Sequence, residues 1–207
     1  MSRGALIHKA GKKDIAGFVL AGGKSSRMGQ DKALLALNGQ PLLQRAASLV
    51  RAATGADAVV VGAKREGFAD CAFVSDDWPD AGPLGGIATA LRVTDAEWNL
   101  IVACDMPYLT RAWLEFLIGR AQASAADVVL VENNGRLEPL CAMYHRRSEA
   151  ALRAALGRGM RKVTEVLRSL QLDTIQPAEW QAFDASGCLF KNVNSPADYE
   201  EAKRRLG

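Results

Sequence analysis

Ile15-Ala16-Gly17-Phe18-Val19-Leu20-Ala21 runs directly into Gly22-Gly23-Lys24-Ser25-Ser26-Arg27-Met28-Gly29-Gln30-Asp31-Lys32. The first seven residues are almost wholly apolar, the pattern of a central parallel strand buried on both faces. The next eleven hold three glycines and three cations. Glycines let backbone N–H groups approach an anion without a Cβ in the way. Arginine offers a planar fork to phosphate oxygens and lysine a compact charge. The stretch therefore predicts a nucleotide-binding loop at the end of a first β-strand. Two standard phosphate loops are excluded. Gly23-Lys24-Ser25 imitates the end of a Walker A motif, but the required first glycine is Phe18. The dinucleotide pattern G-x-G-x-x-G fails because Lys24 takes the place of its second glycine.

The flanking chain predicts strands alternating with helices. Pro41 suits the first position of a helix whose apolar stripe is Leu43, Ala46, Ala47 and Val50. Further strands are predicted at 57–63, 72–75, 98–104 and 127–131, with 140–145 as an antiparallel partner after the turn Asn133-Asn134-Gly135. Helices are predicted at 84–93, after Thr110, at 148–156 and at 163–170, with a short strand at 189–193. Ser195 and Pro196 then open a last helix. This alternation implies an α/β domain of three layers, Rossmann-like, with a mostly parallel central sheet. Ligands in such sheets sit beyond the carboxyl ends of the strands. The 22–32 loop, the 76–83 loop (DDWPDAGP) and Asp105, which follows a buried strand, should then share one rim.

Composition agrees with one soluble domain. The chain has 207 residues, 49% hydrophobic and 24% charged, with a formal charge of +3. That small, dispersed charge gives no nucleic-acid surface. No apolar run approaches the ~20 residues that span a bilayer. Cys71, Cys104, Cys141 and Cys188 lie far apart and read as reduced cysteines of a cytoplasmic protein. Residues 1–14 carry Arg3, Lys9, Lys12 and Lys13 without an apolar core, so they read as a basic N-terminal extension and not a secretory signal. Residues 15–207 form the single expected domain.

The motif L-A-G-G-x-S-x-R-M-G-x-D-K-x-L, over residues 20–34, resembles the signature of nucleotidyltransferases with a glycosyltransferase-A-like fold. More narrowly, it resembles the molybdenum cofactor guanylyltransferases. The resemblance continues through Gly82-Pro83-Leu84-Gly85-Gly86, Cys104-Asp105-Met106-Pro107, Gly135 to Pro139-Leu140, and Asn192-Val193-Asn194-Ser195-Pro196. It implies GMP transfer from GTP to the terminal phosphate of Mo-molybdopterin, with Mg²⁺ as cofactor. Molybdenum-cofactor delivery proteins or apo-molybdoenzymes would be onward partners.

The resemblance also implies roles. Leu20, Ala21, Gly22 and Gly23 would hold the nucleotide, and Arg27 and Lys32 its phosphates. Asp105 would bind the metal, a hard oxygen that suits Mg²⁺. Asp76, or its neighbour Asp77, would accept the N–H donors of guanine. Asp31 would hold Lys32 by an ion pair. Arg161 and Lys162, near Gly159, and Asn192 and Asn194 are the candidates on the acceptor side. Gly62 stands where relatives often have asparagine, which leaves only a backbone contact open there. A phosphate monoester nucleophile has a second pKa of about 6 and needs no general base, which suits a chain whose histidines are His8 and His145 alone.

Three alternatives remain at this level. The cytidylyltransferases of the same cofactor carry alanine where this chain has Gly22. Sugar-phosphate nucleotidyltransferases have a larger sugar-binding region. A non-catalytic carrier of the cofactor would have no need of Arg27, Lys32 and Asp105 together.

Overall fold

The computed structural model describes residues 15–22, 31–68 and 70–206. Gly23, Arg27 and the N-terminal extension, His8 included, lie outside the described residues. The elements in chain order are β1 (Ile15–Leu20), β2 (Ala36–Leu37), β3 (Gln40–Pro41), α1 (Leu42–Thr54), β4 (Val59–Val61), β5 (Ala72–Val74), α2 (Pro83–Arg92), β6 (Trp98–Ala103) and α3 (Arg111–Gln122). They continue with β7 (Val128–Asn133), β8 (Arg136–Leu137), β9 (Cys141–His145), α4 (Glu149–Gly157), α5 (Val163–Leu167), β10 (Leu172–Ile175), α6 (Pro177–Trp180) and α7 (Pro196–Leu206).

The main sheet has the order β10-β7-β9-β6-β1-β4-β5, with β8 paired to β7. β1 lies parallel to both β4 and β6, β4 is parallel to β5, and β10 is parallel to β7. β9 runs antiparallel between β6 and β7. The sheet is thus mostly parallel, as expected. β1 and β6 are buried at every residue, so their runs are apolar and do not alternate, Asn99 of β6 excepted, whose amide donates to Ala96 O and Tyr144 O. Ile15, Val19, Leu100 and Val102 face a core with α1 and α3. Phe18, Leu20, Ile101 and Leu130 face the opposite core with α2, α4 and α5. Each large side chain so buried stabilises the fold by roughly 1.5–3 kcal/mol. A third cluster, of Leu35, Leu37, Leu42, Tyr108, Val193 and Ala202, seats α7 over the small β2–β3 hairpin.

Local chemistry sets the element ends. Thr110 caps α3, its hydroxyl accepting from Trp113 N at 3.2 Å. Ser195 accepts from Asp198 N at 3.2 Å while Asp198 accepts from Ser195 N at 2.9 Å, a reciprocal cap for α7. Asn134 and Gly135, with φ of 51° and 72°, form the primed turn between β7 and β8.

Several expectations are corrected. Pro41 precedes α1 instead of starting it, because its extended ψ of 145° keeps it in the hairpin with Ala36. Residues 189–193 form no strand. Leu189, Phe190 and Val193 are buried, but this segment turns, and Val193 N donates to Asp105 O at 2.8 Å. The helix beginning at 163 ends at Leu167. β10 and α6 were not expected: Leu172-Asp173-Thr174-Ile175 is a four-residue edge strand with two polar members.

That edge is fastened by charge. Arg120 of α3 donates through Nε and Nη2 to both oxygens of Asp173, at 2.9 and 2.8 Å, and through Nη1 to Glu179 of α6 at 3.1 Å. The Arg120 bonds hold the Asp173 carboxyl below the usual carboxylate range. A depressed pKa contributes stability above the unfolded value of about 3.9 that fades as pH falls through the folded value. Asp173→Asn should therefore lower stability at pH 7 by on the order of 1 kcal/mol, a screened, half-exposed pair. The gap to wild type should close in urea titrations carried below pH 4.

Candidate active site

β1 and β6 end level with each other. Leu20 pairs with Ala103, and Cys104 N donates to Leu20 O at 3.1 Å. The next residues, Ala21-Gly22 and Asp105, therefore emerge side by side at the carboxyl rim. They line a cavity together with Leu20, Lys32, Asp76, Pro83 and Gly86. The predicted rim is present: the flanks of the 22–32 loop, the 76–83 segment and Asp105 meet there.

Asp105 lies at the centre of a polar quartet. Lys32 Nζ stands 3.5 Å from Asp105 Oδ2, with both side chains about one-fifth exposed. Lys32 Nζ also donates to Asn194 Oδ1 at 2.7 Å, and Asn192 Nδ2 donates to Asp105 Oδ1 at 3.2 Å. Burial pushes the Asp105 carboxyl above the usual range, against the pull of Lys32 and Asn192. A charge so enclosed needs its partners. The donor chemistry fits a hard divalent cation: Asp105 offers carboxylate oxygen, and Asn194 an amide oxygen that here accepts from Lys32, while Asn192 turns its amide nitrogen to Asp105. Among the described residues no group of three or more His, Cys, Asp or Glu could hold a metal. Substrate phosphate and water would have to complete the shell, the manner in which Mg²⁺ is usually held.

Asp76 and Asp77 are separated in role by the fold. Asp76 lines the cavity. Its Oδ1 accepts from Trp78 N at 2.8 Å and from the hydroxyl of Thr89 at 3.1 Å. Asp77 is paired with Arg92 at the surface. Thr89, wholly buried in α2, also accepts from Asp77 N at 3.0 Å. Sequence reasoning missed Thr89, since a threonine inside an apolar helix reads as core.

The expected Asp31–Lys32 ion pair is not formed. Asp31 accepts from Ala33 N at 3.0 Å and pairs with Arg65 at 2.7 Å; Lys32 turns to Asp105 instead. Asp31 is the cap of the short 3₁₀ turn Lys32–Leu34, and its carboxylate is taken up by Ala33 N and Arg65. Gly62 has φ of 144°, and a Cβ there would sit 3.1 Å from Ala21 O. Its N–H is spent on Val74 O at 2.9 Å, so that group is committed to the sheet edge. Arg161 and Lys162 are exposed and are not among the residues lining the cavity. Arg161 bonds Met160 O, and Lys162 pairs with Glu165 at 3.5 Å in a helix start. Asn192 and Asn194 join Asp105 and Lys32.

Comparison with known proteins completes the picture. Residues 17–174 match the MobA-like NTP transferase domain. The chain belongs to the MobA-like nucleotidyltransferase family. This transferase is 30% identical, over 198 residues, to a "Probable molybdenum cofactor guanylyltransferase" of Bacillus cereus, covering 92% of this chain and 96% of that one. It is 32% identical over 201 residues to a protein of the same name from Haloferax mediterranei, covering 92% and 93%. In fold it matches the crystal structure of molybdopterin-guanine dinucleotide biosynthesis protein A from Archaeoglobus fulgidus. The TM-score is 0.79 at 24% identity, covering 92% of this chain and 97% of that one.

The Thr89 hydroxyl bridges the Asp76 carboxylate and the Asp77 backbone N–H, so its loss should be measurable in the transferase. Thr89→Val leaves Asp76 Oδ1 and Asp77 N each short of a partner and should cost about 1–3 kcal/mol in urea unfolding. Thr89→Ser should recover most of that.

Proposed function

We propose that this chain transfers GMP from GTP to the terminal phosphate of Mo-molybdopterin, giving the guanine dinucleotide cofactor and pyrophosphate. The observation that carries the reading is Asp76 set in the same cavity as the Lys32–Asp105 pair. The Asp76 carboxylate would accept the N1–H and N2–H donors of guanine, a pattern adenine does not present. Lys32 and Asp105 would meet the triphosphate and its metal. The names borne by relatives of the same length favour the same reaction.

The acceptor's phosphate oxygen attacks the α-phosphorus, the bond to the β-phosphate breaks, and pyrophosphate leaves with that electron pair. The acceptor phosphate is mostly dianionic at neutral pH, so no side chain need take a proton. His145 fits this: at the end of β9 it pairs with Trp98, the first residue of β6. It therefore lies about five residues, roughly 17 Å at ~3.3 Å per residue, from the rim where β6 ends. Lys32 and Arg27 supply charge to the triphosphate, and Ala21 and Gly22 border the base and ribose. Asp105, with Asn192 and Asn194 beside it, would hold Mg²⁺, which when bound neutralises phosphate charge as it develops. The protein's own part is positioning and fixed electrostatics. No helix among the described residues is long and apolar enough to cross a membrane. A cytoplasmic setting, with hand-over to delivery proteins or apo-molybdoenzymes, accords with that chemistry.

Incubation with Mg²⁺, Mo-molybdopterin and either GTP or CTP, with pyrophosphate release as readout, tests the reading. Turnover should require GTP; equal turnover with CTP removes the guanine assignment, and tight pterin binding without pyrophosphate favours a carrier. Asp105→Ala should lower turnover at least about a hundredfold; retained activity overturns the metal assignment.

A Cβ built on Gly22 meets no described atom within 4 Å. Gly22→Ala should therefore leave the melting temperature nearly unchanged. The added methyl faces the nucleotide, and GTP kcat/KM should fall about 10-fold or more relative to CTP, the scale of one misplaced carbon in a pocket.

A further inference from the structure

Arg65, in the segment after β4, makes more directed bonds than any role of bulk charge requires. Its Nε donates to Asp31 Oδ2 at 2.7 Å, and its Nη2 donates to Asp31 Oδ1 at 3.4 Å and to Ala21 O at 2.8 Å. Its Nη1 donates to Ala63 O at 2.9 Å, anchoring the fork to its own segment. The side chain is only 14% exposed. Ala21 is the last residue but one before position 23, and Asp31 the first described residue after position 30. One guanidinium therefore joins the two described flanks of the glycine-rich stretch. On the first flank are Ala21 and Gly22, which line the cavity. On the second, Asp31 is followed at once by Lys32, whose ammonium reaches Asp105.

We propose that Arg65 is a positioning residue of the transferase: it fixes the spacing between the base-side flank and Lys32, and so sets where the triphosphate meets Lys32 and Asp105. It touches no reacting atom. A lysine would retain the charge but lacks the planar fork, so it would not keep the paired bonds to Asp31 and the bond to Ala21 O at one fixed spacing. Gly62 serves the same contact. Its missing Cβ leaves the Ala21 carbonyl approachable from the β4 side. Misplacement by about 1 Å of a group acting on the reacting phosphate costs on the order of 100-fold in rate.

This inference rests on reading the cavity as the nucleotide site, and the experiment separates the two. Wild type, Arg65→Lys, Asp31→Asn, Lys32→Ala and Arg65→Lys/Lys32→Ala are compared by kcat and KM for GTP, normalised to the folded fraction from circular dichroism. Arg65→Lys should lose about 10- to 100-fold in kcat/KM, and the kcat part of that loss should vanish in the Lys32→Ala background. Asp31→Asn keeps an oxygen to accept from Ala33 N but breaks the paired carboxylate. It should show a smaller loss in the same direction, and it carries the test if Arg65→Lys does not fold. Wild-type kcat and KM in Arg65→Lys, or equal losses with and without Lys32, overturn the proposal. Wild type that turns over no nucleotide overturns the site reading instead.

Discussion

The pairing of β1 with β6 is the constraint on which the site depends. Both strands are fully buried, so a slip of one residue would turn every side chain of either strand toward the other core. The register is therefore fixed, and both strands finish at the same level, Leu20 against Ala103. Backbone geometry alone then delivers Gly22 and Asp105 to one edge of one cavity. β4, on the other flank of β1, brings Gly62 and Arg65 to the same level, since Leu20 pairs with Val61. No side-chain contact is needed to explain this convergence; it follows from parallel strands packed on both faces.

What the strands deliver, side chains must balance. Asp105 is largely enclosed, and its charge is met by Lys32 and by the Asn192 amide. Asn194 takes a second bond from the same lysine. The segment carrying the asparagines is held by its own backbone, Val193 N to Asp105 O, and by the reciprocal cap that starts α7. On the proposed function, this enclosed acid, its cation and the amide groups would exchange partners when phosphate arrives. In that exchange Lys32 would leave a carboxylate for a phosphate, trading one anion for another, which keeps the cost of the move small.

Much of this was legible beforehand because the signals were local. An unbroken apolar run means a strand buried twice over, glycines after it mean close backbone approach, and a carboxylate directly after a second such run means a rim position. Asn-Gly between β7 and β8, Thr110 and Ser195 announced their turn and caps for the same reason: each works on backbone within a few residues of itself. The edge was harder. β10 has two polar residues in four, and beside its ladder to β7 it is fastened by the Arg120 fork, which no periodicity reports. In residues 189–193, Leu189 and Phe190 are apolar because they pack under α3 and α6, with Phe190 against Trp113 and Trp180, and Val193 because it packs under α7; together they imitated a strand that has no partner to pair with.

The sequence by itself determined the class of fold, the order of its main elements and the set of residues from which the site is drawn, because those follow from periodicity and short-range chemistry. Only the tertiary structure decided who meets whom. It turned Asp31 away from Lys32 and toward Arg65, gave Lys32 to Asp105, placed Asp76 in the cavity while tying Asp77 to Arg92, and put Arg161 and Lys162 in solvent. Each of those choices is between charged or amide side chains that are equally at home on a surface. Partners at the site lie as far apart along the chain as Lys32 and Asn194, 162 positions, and only the packing of the sheet sets the distances that select among them.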